Sequence, residues 1–248
     1  MSRGARSKST VLLAVVVAAI AVLGLVRALP ELQRPDPGIG DIQPGELIAR
    51  KPARGIVTLG EGVTVSVYSD GLRIERDDRM AFQTVRIAAL FSAGFGRVVG
   101  TGAHRREEIT SALPNLRFTS VDLSREGAVF HGQVFDDTRS LEATMAVRRV
   151  GQRVDIDVSV PGADLLVTHL WRRPGMHGVA PRLPSADLRN RAWWLEPAPG
   201  GAPDAPAFTT GLGASVGVAS PAPTAVDLRN DGRGEIHVWA SAFRLSVW

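Results

Sequence analysis

Ser215 lies in Gly213-Ala214-Ser215-Val216-Gly217, a G-x-S-x-G pattern, and Asp227 and His237 come after it in the order a hydrolase triad would use. That chemistry needs a strand running into the serine and a helix leaving it, so that a sharp turn presents the hydroxyl. The next residues are Val218-Ala219-Ser220-Pro221-Ala222-Pro223, which cannot start a helix of any length. The segment therefore reads as a Gly-rich strand that contains a serine. Gly94, Gly96 and Gly100 form G-x-G-x-x-x-G, one residue longer than a dinucleotide-binding fingerprint and without a βαβ context, so they read as a turn.

Metal chemistry has equally little support. The five histidines, His104, His131, His169, His177 and His237, do not pair at metal-ligand spacing, and there is no cysteine. The missing cysteine also excludes a disulfide framework and a thiol nucleophile. Asp77-Asp78 and Asp136-Asp137 fall in expected turns, where short acidic side chains cap backbone N–H groups. No metal or other cofactor is expected. Five tryptophans remain: Trp171, Trp193, Trp194, Trp239 and Trp248. An indole is a large rigid face with a polar edge, suited to sugar C–H surfaces as well as to cores. Adjacent Trp193 and Trp194 cannot both face inward from one strand. Core packing and ligand contact both stand as readings for them.

Charge excludes another class of partner. The net charge is +4, but Arg3, Arg6, Lys8 and Arg27 all lie in the first thirty residues, which carry no acid, so the remainder is neutral. A neutral domain has no electrostatic footprint for nucleic acid. Hydrophobic residues make up 44% of the 248, enough for a core.

Val11 to Val26 is an unbroken run of sixteen apolar or small residues behind three positive charges. Basic residues ahead of an apolar run keep the N-terminus inside and put the C-terminal remainder of the chain outside. Two readings stand for residues 1–29. One is an uncleaved signal anchor, a hydrophobic helix crossing the membrane through residues 11–29. The other is a signal peptide cleaved near Ala28, which would release a secreted domain. Residues 30–54 carry five prolines and no apolar period, and read as a semi-extended linker.

From Gly55 to Trp248 the dominant pattern has period two. Val63, Val65 and Val67 alternate with polar residues, Asp70-Gly71 comes next as a hairpin turn, and Leu72 and Ile74 resume the alternation. Leu141 to Val147, Val154 to Val160 and Phe243 to Val247 repeat it. Thr101–Leu113 allows one short helix. The expectation is an all-β chain: an antiparallel β-sandwich of about 12–14 strands preceded by one N-terminal hydrophobic helix.

Three stretches resemble glycoside hydrolase family 31, the α-glucosidase and sulfoquinovosidase group. His177-Gly178-Val179-Ala180-Pro181, then Ser185-Ala186-Asp187-Leu188-Arg189-Asn190-Arg191, is similar to a segment that closes the family's N-terminal sandwich and runs toward the sugar pocket. Pro206 to Val218 resembles a strand pair of the same domain, and Ile236 to Val247 resembles its closing strands. The resemblance spans residues 60–248 and implies a galactose-mutarotase-like sandwich. It implies α-glycosidase activity only for a whole enzyme, whose two catalytic carboxylates sit on a (β/α)₈ barrel about 5–5.5 Å apart. That barrel would begin where this sequence stops, at Trp248, and no position here matches either carboxylate. The chain also departs from the family at Ala180-Pro181-Arg182-Leu183 and Gly211-Leu212-Gly213-Ala214-Ser215, where pocket residues are expected.

The sequence therefore predicts no catalytic residue. Trp193, Trp194, Asp187 and Arg189 are the candidates for ligand contact. The leading expectation is an exported, carbohydrate-associated sandwich whose partner is a (β/α)₈ barrel, on the same or another chain. The alternatives are a freestanding envelope glycan-binding module and a structural, membrane-attached interaction domain.

Overall fold

Apolar residues at every second position give a strand one oily face, and such faces are stable only when another sheet covers them. The computed structural model of the chain describes residues 55–84, 89–101, 104–171, 177–178, 192–195, 208–209, 214–227 and 233–248. These residues belong to one compact unit, and none of them is α-helical. Among them no helix is long and apolar enough to cross a membrane. The expected anchor at 11–29 and the linker at 30–54 lie outside the described residues.

A first group of strands, β1 (Gly55–Thr58), β2 (Val63–Tyr68), β3 (Gly71–Arg76) and β4 (Arg79–Gln83), forms a four-stranded sheet in chain order. The hairpin expected at Asp70-Gly71 is present, with Tyr68 opposite Gly71. Asp77 and Asp78 make the next turn with φ of 49° and 59°. Strands β5 (Phe91–Val99) and β6 (Arg106–Leu113) form a long hairpin, and β7 (Asn115–Leu123), β8 (Gly127–Phe135), β9 (Ser140–Val150) and β10 (Arg153–Ser159) a meander. The chain continues as β11 (Leu165–Trp171), β12 (His177–Gly178), β13 (Ala192–Leu195), β14 (Phe208–Thr209), β15 (Ser215–Ala219), β16 (Thr224–Asp227), β17 (Arg233–Val238) and β18 (Ala242–Val247). The second sheet has eight strands in the order β12-β14-β15-β18-β10-β9-β8-β7. The third has six, in the order β13-β16-β17-β11-β5-β6. Every pairing among the described residues is antiparallel.

One continuous core joins the inner faces of all three sheets. Phe91 of the six-stranded sheet meets Phe118 of the eight-stranded sheet edge-on, with ring centroids 6.2 Å apart, and Phe118 meets Phe130 at 5.5 Å. Gly55 brings the four-stranded sheet onto the Phe130 ring, where an added Cβ would lie 3.0 Å from it. Each such fully buried large apolar side chain stabilises the fold by about 1.5–3 kcal/mol.

Two expectations need correction. The described residues hold eighteen strands, against the 12–14 expected. Several late strands are only two to five residues long, too short for alternation to register, and residues 55–83 form a sheet of their own. The short helix allowed at Thr101–Leu113 is replaced by β6, whose side chains act with period two.

Candidate functional site

The outer face of the six-stranded sheet is polar, yet it is buried. On β17, Ile236 and Val238 point into the core, so Glu235 and His237 point the other way, but they are just 3% and 0% exposed. On β11 the outward residues Leu165, Val167 and His169 are buried as well. The cover comes from the β5–β6 hairpin. Strand β5 pairs with β11 only from Phe91 to Gly94. A bulge between Phe95 and Gly96 then shifts the register, and the rest of the hairpin lies over the sheet as a strap. Gly96 has φ of 147°, and a Cβ there would sit 2.1 Å from the Glu108 carbonyl oxygen. Its N–H is held by Asp164 Oδ2 at 3.1 Å.

Alternate residues of the strap meet one row of the sheet beneath it. Paired registers align Trp194, Ala225, His237 and Val167 across β13, β16, β17 and β11. Ile109 packs on the Leu165–Val167 pair. Glu107 accepts from His237 Nδ1 at 2.9 Å and from Trp239 Nε1 at 2.6 Å. The Arg105 guanidinium lies 5.2 Å from the centroid of the Trp194 ring. His237 Nε2 donates to Glu235 Oε2 at 3.2 Å, and His169 Nδ1 lies 3.3 Å from the other Glu235 oxygen.

The electrostatics come from this burial and pairing. Burial alone would strip the charge from His237, but the hydrogen bonds to Glu107 and Glu235 outweigh it and raise its pKa to about 9. Burial likewise opposes ionisation of Glu235, and the imidazoles of His169 and His237 overcome it, holding the carboxyl at about 2. Perturbed titration often marks an active site, but closed ion networks perturb it too. Here the Glu107 and His237 side chains are 0% exposed, and both imidazole nitrogens of His237 are engaged. No substrate atom can reach them, so the cluster pins the strap rather than moving protons. Among the described residues no group of three or more acidic or histidine side chains is arranged to hold a metal ion.

The expected site residues separate accordingly. Ser215 stands in β15, paired with Trp248 through both backbone groups. His237 belongs to the other large sheet and bonds Glu107 and Glu235, so the G-x-S-x-G pattern is a strand and no triad forms. Gly94 and Gly96 lie within β5 rather than in a turn, and only Gly100 turns the chain, with φ of 82°. Trp193 packs against the main core. Trp194, on the opposite face of β13, is half-buried beneath Arg105. Asp187 and Arg189 lie outside the described residues. Sequence reasoning missed Glu107, Glu235 and His169. The readable signal was Glu235-Ile236-His237-Val238-Trp239, where apolar and polar residues alternate in a segment apolar enough to be buried on both faces.

Among the described residues, parts of all three stretches that resemble family 31 are joined by strand pairing. His177-Gly178 of the first pairs with Phe208-Thr209 of the second. That strand pairs with β15, and β15 pairs with β18 of the third stretch. Their described parts in β12, β14, β15 and β18 make up one side of the eight-stranded sheet, while Ile236–Val238 lies in β17 of the six-stranded sheet.

No family model matches the chain, and no curated protein matches it in sequence. Among solved structures it is similar to a GH31-family sulfoquinovosidase from E. rectale, solved with an aza-sugar inhibitor, with a TM-score of 0.53 and 14% identity over 73% of this chain and 31% of that one. A GH31 dextranase from Flavobacterium johnsoniae, complexed with glucose, aligns with a TM-score of 0.29 and 10% identity over 79% of this chain and 26% of that one, too low a score to carry weight. The likeness is one of fold: the chain has the architecture of a β domain within a GH31 enzyme and spans 31% of that enzyme's length.

Proposed function

We propose that this chain is the exported β domain of a family 31-like glycosidase system. In this reading it is a galactose-mutarotase-like sandwich that packs against a (β/α)₈ barrel and shapes a sugar site, while the barrel supplies the catalytic carboxylates. Residues 11–29 hold it at the outer side of the cell membrane, or are removed near Ala28. Glu107 and Glu235, the acids most deeply tied into the strap cluster, are engaged by His237, which supports a structural role for this domain rather than hydrolysis by it.

The observation that carries this reading is the meeting of the three resembling stretches along β12, β14, β15 and β18, in a fold similar to that of a GH31 enzyme's β domain. An antibody to the sandwich, used on extracts of the native organism, tests it. A band well above 26.4 kDa, or a 26.4 kDa band that co-migrates in native gels with a barrel chain, is expected. A lone 26.4 kDa species would instead favour a freestanding envelope module.

A further inference from the structure

The outer face of the eight-stranded sheet carries a trough of about 370 Å³, within the about 300–1,000 Å³ of small-molecule sites. Its origin is legible in the register. One row across five strands reads Val129, Ala146, Asp157, Arg244 and Ala219. The adjacent row reads Thr144, Ser159 and Ala242. Small side chains at Ala146, Ala219 and Ala242 leave the floor low, and the partly exposed apolar Val129 stands at one end.

The polar groups in the trough are few and balanced. Asp157 Oδ1 accepts from Arg244 Nε at 2.6 Å, and Asp157 Oδ2 accepts from Arg148 at 2.8 Å. Among the described residues, Asp157 and Arg244 are the only charged ones lining the trough, so its lining is neutral. Arg244 binds Asp157 through Nε, which leaves its terminal nitrogens to donate elsewhere, and the carboxylate keeps further lone pairs to accept. A donor and an acceptor side by side match neighbouring hydroxyls, and the aliphatic floor matches a C–H face.

We infer that this trough binds a neutral pyranose unit of a glycan, through Arg244 and Asp157 at the rim and Ala146 and Ala242 beneath the ring. This rests on the carbohydrate-associated reading of the domain and moves the glycan contact from the tryptophan pair to the opposite sheet. The residues lining the trough carry no net charge to attract a charged sugar.

The test is calorimetric titration of the full chain, in detergent, with a panel of neutral gluco-, galacto- and manno-oligosaccharides and with an acidic oligogalacturonide. Ala146→Trp and Ala242→Trp each fill the floor from a different row, on the solvent side, and far-UV circular dichroism checks that both fold. A neutral oligosaccharide should bind the wild-type chain and bind both variants at least tenfold more weakly. Three outcomes overturn the inference: no neutral oligosaccharide binds, the acidic one binds better, or binding survives in both folded variants. If Trp194→Ala alone abolishes binding, the trough is wrong and the carbohydrate-associated reading stands. The size of the native protein bears on the barrel partnership and leaves this result untouched.

Discussion

Glu107 of β6 grips His237 of β17 at 2.9 Å, although β5 and β11 lie between those strands in the sheet order. The contact exists because the hairpin leaves the sheet at the Gly96 bulge and doubles back over it. Removing Glu107 leaves a charged imidazole buried with half its partners gone, and uncompensated buried charge is costly. Glu107→Ala should lower unfolding stability by about 3–5 kcal/mol, read as a drop in the urea midpoint. The paired change Glu107→Leu with His237→Phe should recover most of that loss, because it removes both ends of the ion pair.

Stability should depend on pH in a window set by the same residues. His237 titrates near 9 when folded, above its ordinary 6.5. Its contribution is therefore complete below pH 6.5 and is lost as pH rises through 9. Glu235 titrates near 2, below its ordinary 4.5, so its contribution is complete above 4.5 and is lost as pH falls through 2. The melting temperature should be highest between about 4.5 and 6.5 as far as this pair governs it. The alkaline decline should flatten in His237→Phe. A wild-type melting temperature that stays constant from pH 6.5 to 10 would contradict the assignment.

Gly96 is the hinge that permits the strap. Its φ of 147° and the 2.1 Å approach of the Glu108 carbonyl to any Cβ leave no room for a side chain. Gly96→Ala should cost at least about 1–3 kcal/mol in backbone strain. Hydrogen exchange should locate the damage: amides of β6 should exchange faster while those of β8 and β9 keep their protection.

The two adjacent tryptophans should behave differently. Trp193 packs on the core, and its buried Nε1 has no partner among the described residues. Trp193→Ala should cost about 3–5 kcal/mol, whereas Trp193→Phe, which removes that N–H, should be much milder. Trp194 contributes a half-exposed contact with Arg105, worth about 0.5–1 kcal/mol. Trp194→Ala should therefore lower the denaturation midpoint clearly less than Trp193→Ala does. Equal losses in the two alanine variants would contradict the facing assigned to β13.

Much of the fold was legible in the sequence because strands state their facing in period two. The Val63–Val67 and Leu72–Ile74 hairpin, β9, β10 and β18 appear where the alternation puts them. The short strands β12 and β14 were illegible, since two residues carry no period, and only their partners Thr209 and Ser215 define them. The buried polar cluster was illegible for another reason. Glu107, His169 and the Glu235–His237 pair are far apart in the chain, and the bulge at Gly96, which brings Glu107 over, looks in sequence like a turn. The trough on the opposite sheet is likewise a property of register: Ala146, Asp157 and Arg244 become neighbours only once β9, β10 and β18 are aligned.

The central claim, that this domain works with a catalytic barrel, is tested most directly by capturing the native protein with an antibody to the sandwich and assaying the captured material for α-glycoside hydrolysis beside the purified 248-residue chain. The account predicts hydrolysis in the captured material and none by the purified chain. Captured material that is inactive and contains only the 26.4 kDa chain, or turnover by that chain alone, would contradict it.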